Sequence, residues 1–184
     1  MAGTLRITGG ALVRQRFAVP EAADQNLVRP ASDRVREAIF SALGSWLPDS
    51  TVLDLFAGSG AYAFESLSRG AQSAVLIEKS PETHACIKAN IQKLKLDSQC
   101  KLIHDDALRF VAQAPRKFDL IFVDPPYTLK LLDTFWADLT HWIAPDGLVI
   151  FRCRSRSDFN LPAGYEITRE RTYGGTWVAF LKPI

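Results

Sequence analysis

Cysteine is scarce in this sequence. The three cysteines, Cys86, Cys100 and Cys153, are widely separated and follow none of the spacings typical of metal ligands. An odd number of scattered cysteines does not form a disulfide framework, and structural zinc sites use closely spaced pairs. We therefore expect reduced thiols, no disulfide bond and no bound metal ion.

Long apolar runs are missing as well. No stretch reaches the roughly 20 apolar residues that a membrane-spanning helix needs. Residues 1–19 carry arginines throughout and lack the apolar centre of a signal peptide. We therefore expect a cytoplasmic protein without a membrane partner. The 184 residues, 47% of them hydrophobic, suit one compact domain at 31–184, preceded by a basic hairpin and link at 1–30.

The small net charge of +2 is unevenly distributed along the chain. Six arginines against three acids give +3 in residues 1–36, and five arginines and a lysine against three acids give +3 in residues 152–184, which leaves −4 for the centre. Ordinary surface clusters could account for such values. The preference for arginine over lysine nevertheless favours a nucleic-acid partner, because guanidinium groups match phosphates in geometry.

The first residues are expected to form the basic hairpin. Polar and apolar residues alternate around Gly9-Gly10 between Leu5 and Pro20, which predicts two short strands on an exposed arm. A helix is predicted from Ser32 to Trp46, with Ser32 as its cap and its arginines off the apolar face. The arginines that could form one basic surface are Arg6, Arg14, Arg16, Arg29, Arg34 and Arg36.

From Thr51 onwards, apolar strand-like runs alternate with helical ones, which predicts an α/β fold. The strand runs are apolar on both faces, as expected for a parallel sheet covered by helices on both sides. Two final runs join through Tyr173-Gly174-Gly175 without a helix and predict an antiparallel hairpin at the sheet edge. The predicted strands are 51–56, 73–78, 100–104, 118–123, 148–153, 165–171 and 176–182, and the predicted helices are 61–69, 81–96, 107–114 and 129–143.

The first of these strands runs into the glycine turn Asp54 to Ala61, where a ligand could approach the backbone. With Ala63, the turn also satisfies the loose dinucleotide pattern G-x-G-x-x-A, so a nicotinamide cofactor is one alternative. Glu78, at the end of the next strand, could bind ribose hydroxyls in either case. Asp54 favours S-adenosylmethionine, because a carboxylate suits an ammonium or sulfonium group better than a pyrophosphate. Asp106 could accept from an adenine amine or cap the following helix.

The most unusual stretch is Asp124-Pro125-Pro126-Tyr127, which directly follows the apolar run 118–123. Two prolines stiffen the loop and remove two backbone donors. A carboxylate and a free carbonyl can both accept from one planar amino group, while the tyrosine ring can stack on the adjoining base. A plain turn would also explain the tetrapeptide.

In their order and spacing, the glycine turn, Glu78, Asp106-Ala107 and the tetrapeptide resemble class I S-adenosylmethionine-dependent methyltransferases that act on exocyclic amines. Arg29-Pro30 and residues 33–37, together with the basic hairpin, resemble one branch, the bacterial guanine-N2 methyltransferases of small-subunit ribosomal RNA. The resemblance implies a Rossmann-like fold with a seven-stranded, mostly parallel sheet, and a monomer acting on ribosomal RNA or the assembling small subunit. It implies catalysis by Asp124, Pro125, Pro126 and Tyr127, RNA contacts by the six arginines named above, and cofactor contacts by Asp54, Phe56, Ala57, Gly58, Ser59, Gly60, Glu78, Lys79, Asp106 and Ala107.

The chain departs from that branch at several positions. It has Arg14-Gln15-Arg16-Phe17 where the family usually has Gly-Arg-Lys-Leu, Ala31-Ser32 where threonines are usual, and Arg152-Cys153-Arg154 where Glu-His tends to follow the strand. The alternatives are an adenine-N6 methyltransferase, which the same tetrapeptide could serve, a nucleic-acid-binding module without catalysis, and a nicotinamide dehydrogenase, which only the glycine turn favours.

Overall fold

The structure, a computed structural model, describes residues 3–20, 33–173 and 175–184. Arg29, the helix cap predicted at Ser32 and Gly174 of the predicted carboxyl-terminal turn lie outside these residues. The strands are β1 (Thr4–Arg6), β2 (Arg16–Ala18), β3 (Thr51–Asp54), β4 (Ser73–Glu78), β5 (Cys100–His104), β6 (Phe118–Val123), β7 (Ile143–Cys153), β8 (Tyr165–Tyr173) and β9 (Thr176–Pro183). The helices are α1 (Asp33–Leu43), α2 (Ala61–Ser68), α3 (Pro81–Leu94), α4 (Ala107–Val111) and α5 (Asp133–Thr140).

Seven strands form the central sheet in the order β5-β4-β3-β6-β7-β9-β8. Strands β3 to β7 are parallel, and β9 and β8 close the edge in antiparallel fashion. The chain builds outward from β3 to β5 on one side and then continues with β6 on the other side of β3, so the strand order reverses between β3 and β6. Open α/β sheets bind ligands at such a switch point. The predicted mostly parallel sheet with an antiparallel carboxyl-terminal hairpin is confirmed.

Both faces of the sheet are buried. Val52 of β3 belongs to the hydrophobic cluster that includes residues of α1, α2 and α3, whereas the next residue, Leu53, belongs to the cluster that includes residues of α4 and α5. Successive side chains in a strand point to opposite faces, so a strand between two helical layers must be apolar throughout. This is why the strand runs in the sequence are continuous rather than alternating.

Helix α3 begins as its sequence predicts. Ser80 accepts a hydrogen bond from the amide of Thr83 at 3.3 Å, and Pro81 occupies the first helical position. Helix α5 ends at Thr140 and is shorter than the predicted 129–143. It begins at Asp133 rather than 129, and it ends early because the ring of Trp142 packs on Phe110 at 4.6 Å and the carbonyl of Trp142 accepts from Phe118 at the start of β6. Among the described residues, no helix is long and apolar enough to span a membrane.

The amino-terminal hairpin packs against the domain instead of projecting as an arm. Ile7 and Phe17 are each 1% exposed, and the Phe17 ring lies edge-on to Phe64 of α2, with 5.2 Å between ring centroids. The amide of Ala18 donates to the Asn90 side chain of α3 at 2.9 Å. The prediction of an exposed arm is therefore wrong, because the alternating pattern places one apolar face of the hairpin in the main core.

Arg36 was predicted to lie on an exposed basic surface, and that prediction is wrong. Its side chain is fully buried and donates to the carbonyl of Arg6 at 2.7 Å and to Asp33 at 2.9 Å. The side chain thus joins α1 to the hairpin, which the helical pattern of the sequence did not show. Arg6 pairs with Asp33 at 3.0 Å but stays exposed, as do Arg14, Arg16 and Arg34.

Candidate active site at the carboxyl edge of the sheet

A cavity of about 470 Å³ opens at the carboxyl ends of the parallel strands. Its size is within the range of small-molecule sites, and its position is the one expected for an open α/β sheet. Apolar side chains, including Leu55, Ile77 and Leu108, form part of the wall, beside a small number of acids and bases. The predicted site residues on the wall are Phe56, Gly58, Glu78, Lys79, Asp106, Ala107, Asp124, Pro125, Pro126 and Tyr127.

The glycine turn between β3 and α2 needs its glycines. Gly58 and Gly60 have φ angles of 53° and 79°, in the left-handed region that side chains with a Cβ rarely adopt. A Cβ at Gly60 would also lie 2.6 Å from the ring of Phe64. The amide of Ala57 donates to the carbonyl of Ile77 at 3.1 Å, which fixes the turn to β4. The turn can therefore present backbone close to a ligand.

Glu78 connects the glycine turn to the end of β4. One carboxylate oxygen, Oε2, accepts from the amide of Gly58 at 3.0 Å, and the other, Oε1, accepts from the amide of Ser80 at 2.8 Å. Each carboxylate oxygen has two lone pairs, so both can accept a further donor. Glu78 also lines the cavity, which is consistent with the prediction that it binds two ribose hydroxyls.

Asp54 differs from its predicted placement. Its side chain is fully buried, and neither oxygen completes a hydrogen bond within the described residues. Burial, followed by the negative charges of Asp124 and Glu78, raises the pKa of Asp54 to about 8, and the backbone amides of Ala63 and Phe56 offset part of this rise. Asp54 is not among the residues that line the cavity, so the structure does not place it for the predicted direct contact with an ammonium or sulfonium group. Asp54 lies beneath the site, where burial favours its protonated form.

The opposite wall of the cavity comes from the segment after β5. Asp106 caps α4 by accepting from the amide of Leu108 at 2.9 Å, so the capping alternative is confirmed, and Asp106 also faces the cavity. Its second oxygen lies 3.8 Å from the ammonium of Lys79. Ala57 and Ser59 are buried, at 5% and 7% exposure. Their predicted contacts to a cofactor, like those of the other residues named for it, stay predictions.

The tetrapeptide forms the rim of the cavity beyond β6. Pro125 is buried, and a turn closes behind it where the amide of Leu129 donates to the carbonyl of Pro126 at 2.8 Å. The Asp124 side chain is 12% exposed, whereas Tyr127 is 43% exposed. A shielded carboxylate therefore lies beside an aromatic ring that a ligand can reach.

Arg152 of β7 reaches Asp124 across the sheet. The two side chains form an ion pair, with 2.6 Å between Nε of Arg152 and Oδ1 of Asp124. Burial raises the pKa of Asp124, and the charge of Arg152 offsets part of that rise. Burial lowers the pKa of Arg152, but the charge of Asp124 outweighs burial and raises it overall. The pair is therefore a cation beside a carboxylate at the cavity wall.

Two aromatic rings border this pair. Tyr62 of α2 stacks on Phe122 with 4.8 Å between ring centroids, and burial, followed by the charge of Asp124, raises the pKa of its hydroxyl well above the ordinary value. The Tyr62 hydroxyl is buried without completing a hydrogen bond within the described part of the chain. The guanidinium of Arg154 lies 5.3 Å from the ring centroid of Tyr127.

Sequence reasoning did not identify Arg152 as a site residue. The strand order could have revealed it. Val123 of β6 pairs with Phe151 of the neighbouring strand β7, so the next residues, Asp124 and Arg152, lie side by side. The sequence alone does not show that these two runs are neighbours in register. Arg152 was therefore counted only as one of the basic residues near the carboxyl terminus.

Taken together, the topology and the position of the site define a class I methyltransferase fold. A family model described as conserved hypothetical protein 95 matches residues 5–182. Ribosomal RNA small subunit methyltransferase D of Escherichia coli is 33% identical over 175 residues, which cover 94% of this chain and 86% of the relative. The chain therefore belongs to the conserved hypothetical protein 95 family, and the resemblance seen in the motifs is confirmed.

Solved structures agree with this assignment. The Escherichia coli protein yhhF superposes with a TM-score of 0.86 at 31% identity, with 98% of each chain covered. A hypothetical protein of Thermus thermophilus superposes with a TM-score of 0.78 at 31% identity, with 96% of this chain and 98% of that chain covered. The similarity therefore includes the amino-terminal hairpin as well as the central sheet.

Proposed function

We propose that this protein transfers a methyl group from S-adenosylmethionine to the exocyclic N2 amine of a guanine in small-subunit ribosomal RNA. The observation that carries the proposal is the placement of Asp124 and Tyr127, a shielded acceptor beside an exposed ring, at the rim of the cavity. A relative that is 33% identical is named as a methyltransferase of small-subunit ribosomal RNA, which supports the same substrate class.

The cavity residues fit S-adenosylmethionine. Gly58 lets the cofactor approach the backbone, Glu78 has free lone pairs for ribose hydroxyls, and Leu108 with Ala107 offers apolar surface to an adenine ring. Asp106 at the same wall can accept from the adenine amine with the lone pairs that capping leaves. When bound, the cofactor supplies an electrophilic methyl group.

The tetrapeptide activates the substrate amine. An exocyclic amine of guanine is a weak nucleophile, because its lone pair is delocalised into the ring. Asp124 and the carbonyl of Pro125 each accept one N–H bond, which favours tetrahedral geometry at nitrogen as positive charge develops there. Asp124 then holds the proton that the nitrogen loses. Tyr127 stacks on the base, which is worth about 1–3 kcal/mol by comparison with single-strand binders.

The substrate base must be unpaired or turned out of its helix, because the amine of a paired guanine is inside the duplex. The hairpin offers a path for the adjoining RNA. Pro20, after β2, lines the cavity. The turn between β1 and β2, at the other end of the hairpin, contacts the end of α2, where the amide of Ala11 donates to the carbonyl of Ser68 at 2.6 Å. The exposed Arg16 and Arg14 follow this path away from the cavity.

The experiment is single-turnover methyl transfer to ribosomal RNA or assembling small subunits, followed by mass spectrometry of the nucleosides. Asp124→Ala removes both acceptor oxygens. If an oriented acceptor contributes on the order of 3 kcal/mol in the transition state, the rate falls about a hundredfold or more. Asp124→Asn keeps one acceptor oxygen, so its rate should fall distinctly less than that of Asp124→Ala. The modified nucleoside is expected to be N2-methylguanosine.

The matched control is Asp146→Ala, which removes an exposed carboxylate from the first part of β7. Because Asp124→Ala leaves Arg152 without this partner, binding of S-adenosylhomocysteine serves as a test that the variant is folded. An Ala variant that methylates at close to the parent rate would mean that the tetrapeptide is only a turn. N6-methyladenosine as the product would assign the adenine alternative in place of guanine.

A further inference from the structure

We propose that Arg152 is a positioning residue for methyl transfer, which holds Asp124 ionised and oriented as the acceptor of the substrate amine. The inference rests on the proposed function, since it concerns the same carboxylate.

The pairing of the strands brings Arg152 to this place. Val123 of β6 pairs with Phe151 of β7 in parallel register, so the next residue of each strand, Asp124 and Arg152, lie side by side at the carboxyl edge. The salt bridge of 2.6 Å is made through Oδ1 of Asp124. A carboxylate has two oxygens and about four lone pairs, so the contact with Arg152 fixes the plane of the group and leaves capacity for a second donor.

Stability alone is a weak reason for this ion pair. The side chains of Arg152 and Asp124 are only 8% and 12% exposed, so both charges have lost most of their hydration. Burying two charges costs about as much as their attraction returns, and well-packed apolar residues often serve as well or better. Both residues also line the cavity, where an orienting role has a direct consequence for a ligand.

The surroundings show why Asp124 needs a cation. Asp54 lies beneath it, the hydroxyl of Tyr62 approaches from α2, Tyr127 follows in the same loop, and Glu78 adds negative charge from β4. Arg152 approaches from β7, and its guanidinium is also 6.0 Å from the ring centroid of Tyr127. Burial favours the protonated carboxyl of Asp124, whereas Arg152, followed by the Tyr62 hydroxyl, favours the carboxylate. A protonated Asp124 would donate through one oxygen and lose part of its ability to accept from the amine.

The sign of the pH dependence follows from this arrangement. A protonated Asp124 accepts from the amine less well than the carboxylate does, so the methylation rate rises with pH as this carboxyl loses its proton. An opposite charge at salt-bridge distance shifts a carboxyl pKa by about one to three units. Replacing Arg152 with a neutral side chain therefore moves the midpoint of the rate profile to higher pH by about one unit or more. When the midpoint lies above the assay pH, each further unit lowers the ionised fraction of Asp124 about tenfold.

The experiment compares Arg152→Gln and Arg152→Lys with the parent in single-turnover methylation from pH 5.5 to 9.5. Arg152→Gln is expected to shift the midpoint upward by about one unit or more and to lower the rate most at the acid end of this range. Arg152→Lys keeps the charge without the guanidinium fork, so we expect a smaller shift and partial recovery. The affinity for S-adenosylhomocysteine should change by less than about threefold, as the residue acts through Asp124.

Two further measurements separate positioning from a structural role. Titration of the ¹³C-labelled Asp124 carboxyl by NMR, assigned by its loss in Asp124→Asn, should show the same upward shift without any turnover. In the Asp124→Asn background, adding Arg152→Gln should cost less than about threefold in rate, because the group through which it acts is gone. Arg116→Ala, at the opposite edge before β6, is the matched loss of an exposed arginine and should behave as the parent.

An unchanged pH midpoint and an unchanged carboxyl titration in Arg152→Gln would overturn the proposal. So would equal loss in the parent and Asp124→Asn backgrounds, since additive effects mean independent action. If Arg152→Gln does not fold, the same comparisons are made with Arg152→Lys. An unchanged pH midpoint in Arg152→Lys would then count against the inference. Failure of the proposed function is distinguishable, because Asp124→Ala would then retain activity irrespective of Arg152.

Discussion

Glu78 accepts hydrogen bonds from the backbone amides of Gly58 and Ser80, at 3.0 and 2.8 Å. One carboxylate thus holds both the glycine turn after β3 and the beginning of the segment that leads into α3. The arrangement explains how a turn with two residues at positive φ is kept in one conformation beside the cavity. Glu78 therefore organises the turn as well as offering its remaining lone pairs to a ligand.

Glu78→Gln should weaken cofactor binding. The glutamine amide has one acceptor oxygen and one NH₂ group, so it cannot accept from both backbone amides and two ribose hydroxyls as the carboxylate can. Hydrogen bonds to a charged group contribute about 1.5–3 kcal/mol each, so loss of one should raise the dissociation constant for S-adenosylhomocysteine about tenfold to a hundredfold. Isothermal titration calorimetry measures this change.

Glu82→Gln is the matched control, because Glu82 is an exposed acid in the first turn of α3 and loses the same charge. Its affinity for S-adenosylhomocysteine should stay close to that of the parent. Equal affinities of the Glu78 variant and the parent would mean that Glu78 serves only the backbone of the turn.

The sheet could be predicted from the sequence because its strand runs are short, apolar on both faces and separated by helical runs. The residues at which helices and strands begin and end were harder to predict. Helix α5 was predicted to reach Ile143, but Trp142 packs on Phe110 and its carbonyl accepts from Phe118, and β7 begins one residue later. A helical period cannot show that an aromatic residue at the end of a helix will be held by another element.

The site was predictable where the chemistry lies in one segment. The tetrapeptide and the glycine turn both lie at the carboxyl edge, as strand–loop order requires. Three placements depended on contacts between distant segments and were missed. Arg36 is buried against the carbonyl of Arg6, Asp54 lies beneath the cavity, and Arg152 pairs with Asp124. Each is a buried ionisable group, whose partner or environment is set by tertiary packing and not by local sequence.

The exposed arginines of the hairpin should contribute to RNA binding. Arg14→Ala combined with Arg16→Ala is expected to weaken binding to ribosomal RNA and to flatten its salt dependence, by about one unit or slightly less of log-log slope for each phosphate that the variant no longer neutralises. Arg6 is left in place because its guanidinium already pairs with Asp33. Filter binding at several salt concentrations provides both the affinity and the slope.

The double variant Arg116→Ala, Lys117→Ala is the matched control for this experiment. It removes two exposed cations from the opposite edge of the sheet, immediately before β6. Net charge falls by the same amount, so any general electrostatic effect is shared. If both double variants have the same affinity and the same salt slope, the hairpin has no specific part in RNA binding.

Arg154 should help to present the ring of Tyr127 to the substrate base. Its guanidinium lies 5.3 Å from the ring centroid, a cation–π contact worth about 0.5–1 kcal/mol at an exposed site. Arg154→Ala should therefore raise KM for RNA about twofold to fivefold with little change in kcat, whereas Tyr127→Ala should raise KM by about tenfold or more. Steady-state kinetics with a ribosomal RNA fragment measures both. A large fall in kcat for Arg154→Ala would indicate a role in the chemical step instead.

Asp54 should make the folded protein less stable as pH rises. Burial holds its folded-state pKa at about 8, against an ordinary value of 3.8. The stability associated with the neutral carboxyl is therefore complete below about pH 4 and is lost as pH rises towards 8, because the unfolded chain gives up this proton first. Within that window the free energy of unfolding falls by up to about 1.4 kcal/mol per pH unit from this group.

Asp54→Asn removes the ionisable group while keeping the shape of the side chain. Urea unfolding between pH 5 and pH 8 should consequently show a shallower decline in the free energy of unfolding than in the parent, by on the order of 1 kcal/mol per pH unit. Asp97→Asn is the matched control, because Asp97 is exposed after α3 and its charge stays in water in both states. If Asp54 were ionised in the folded protein at neutral pH, Asp54→Asn and the parent would show parallel profiles of unfolding free energy against pH. The account of a neutral acid beneath the glycine turn would then have to be given up.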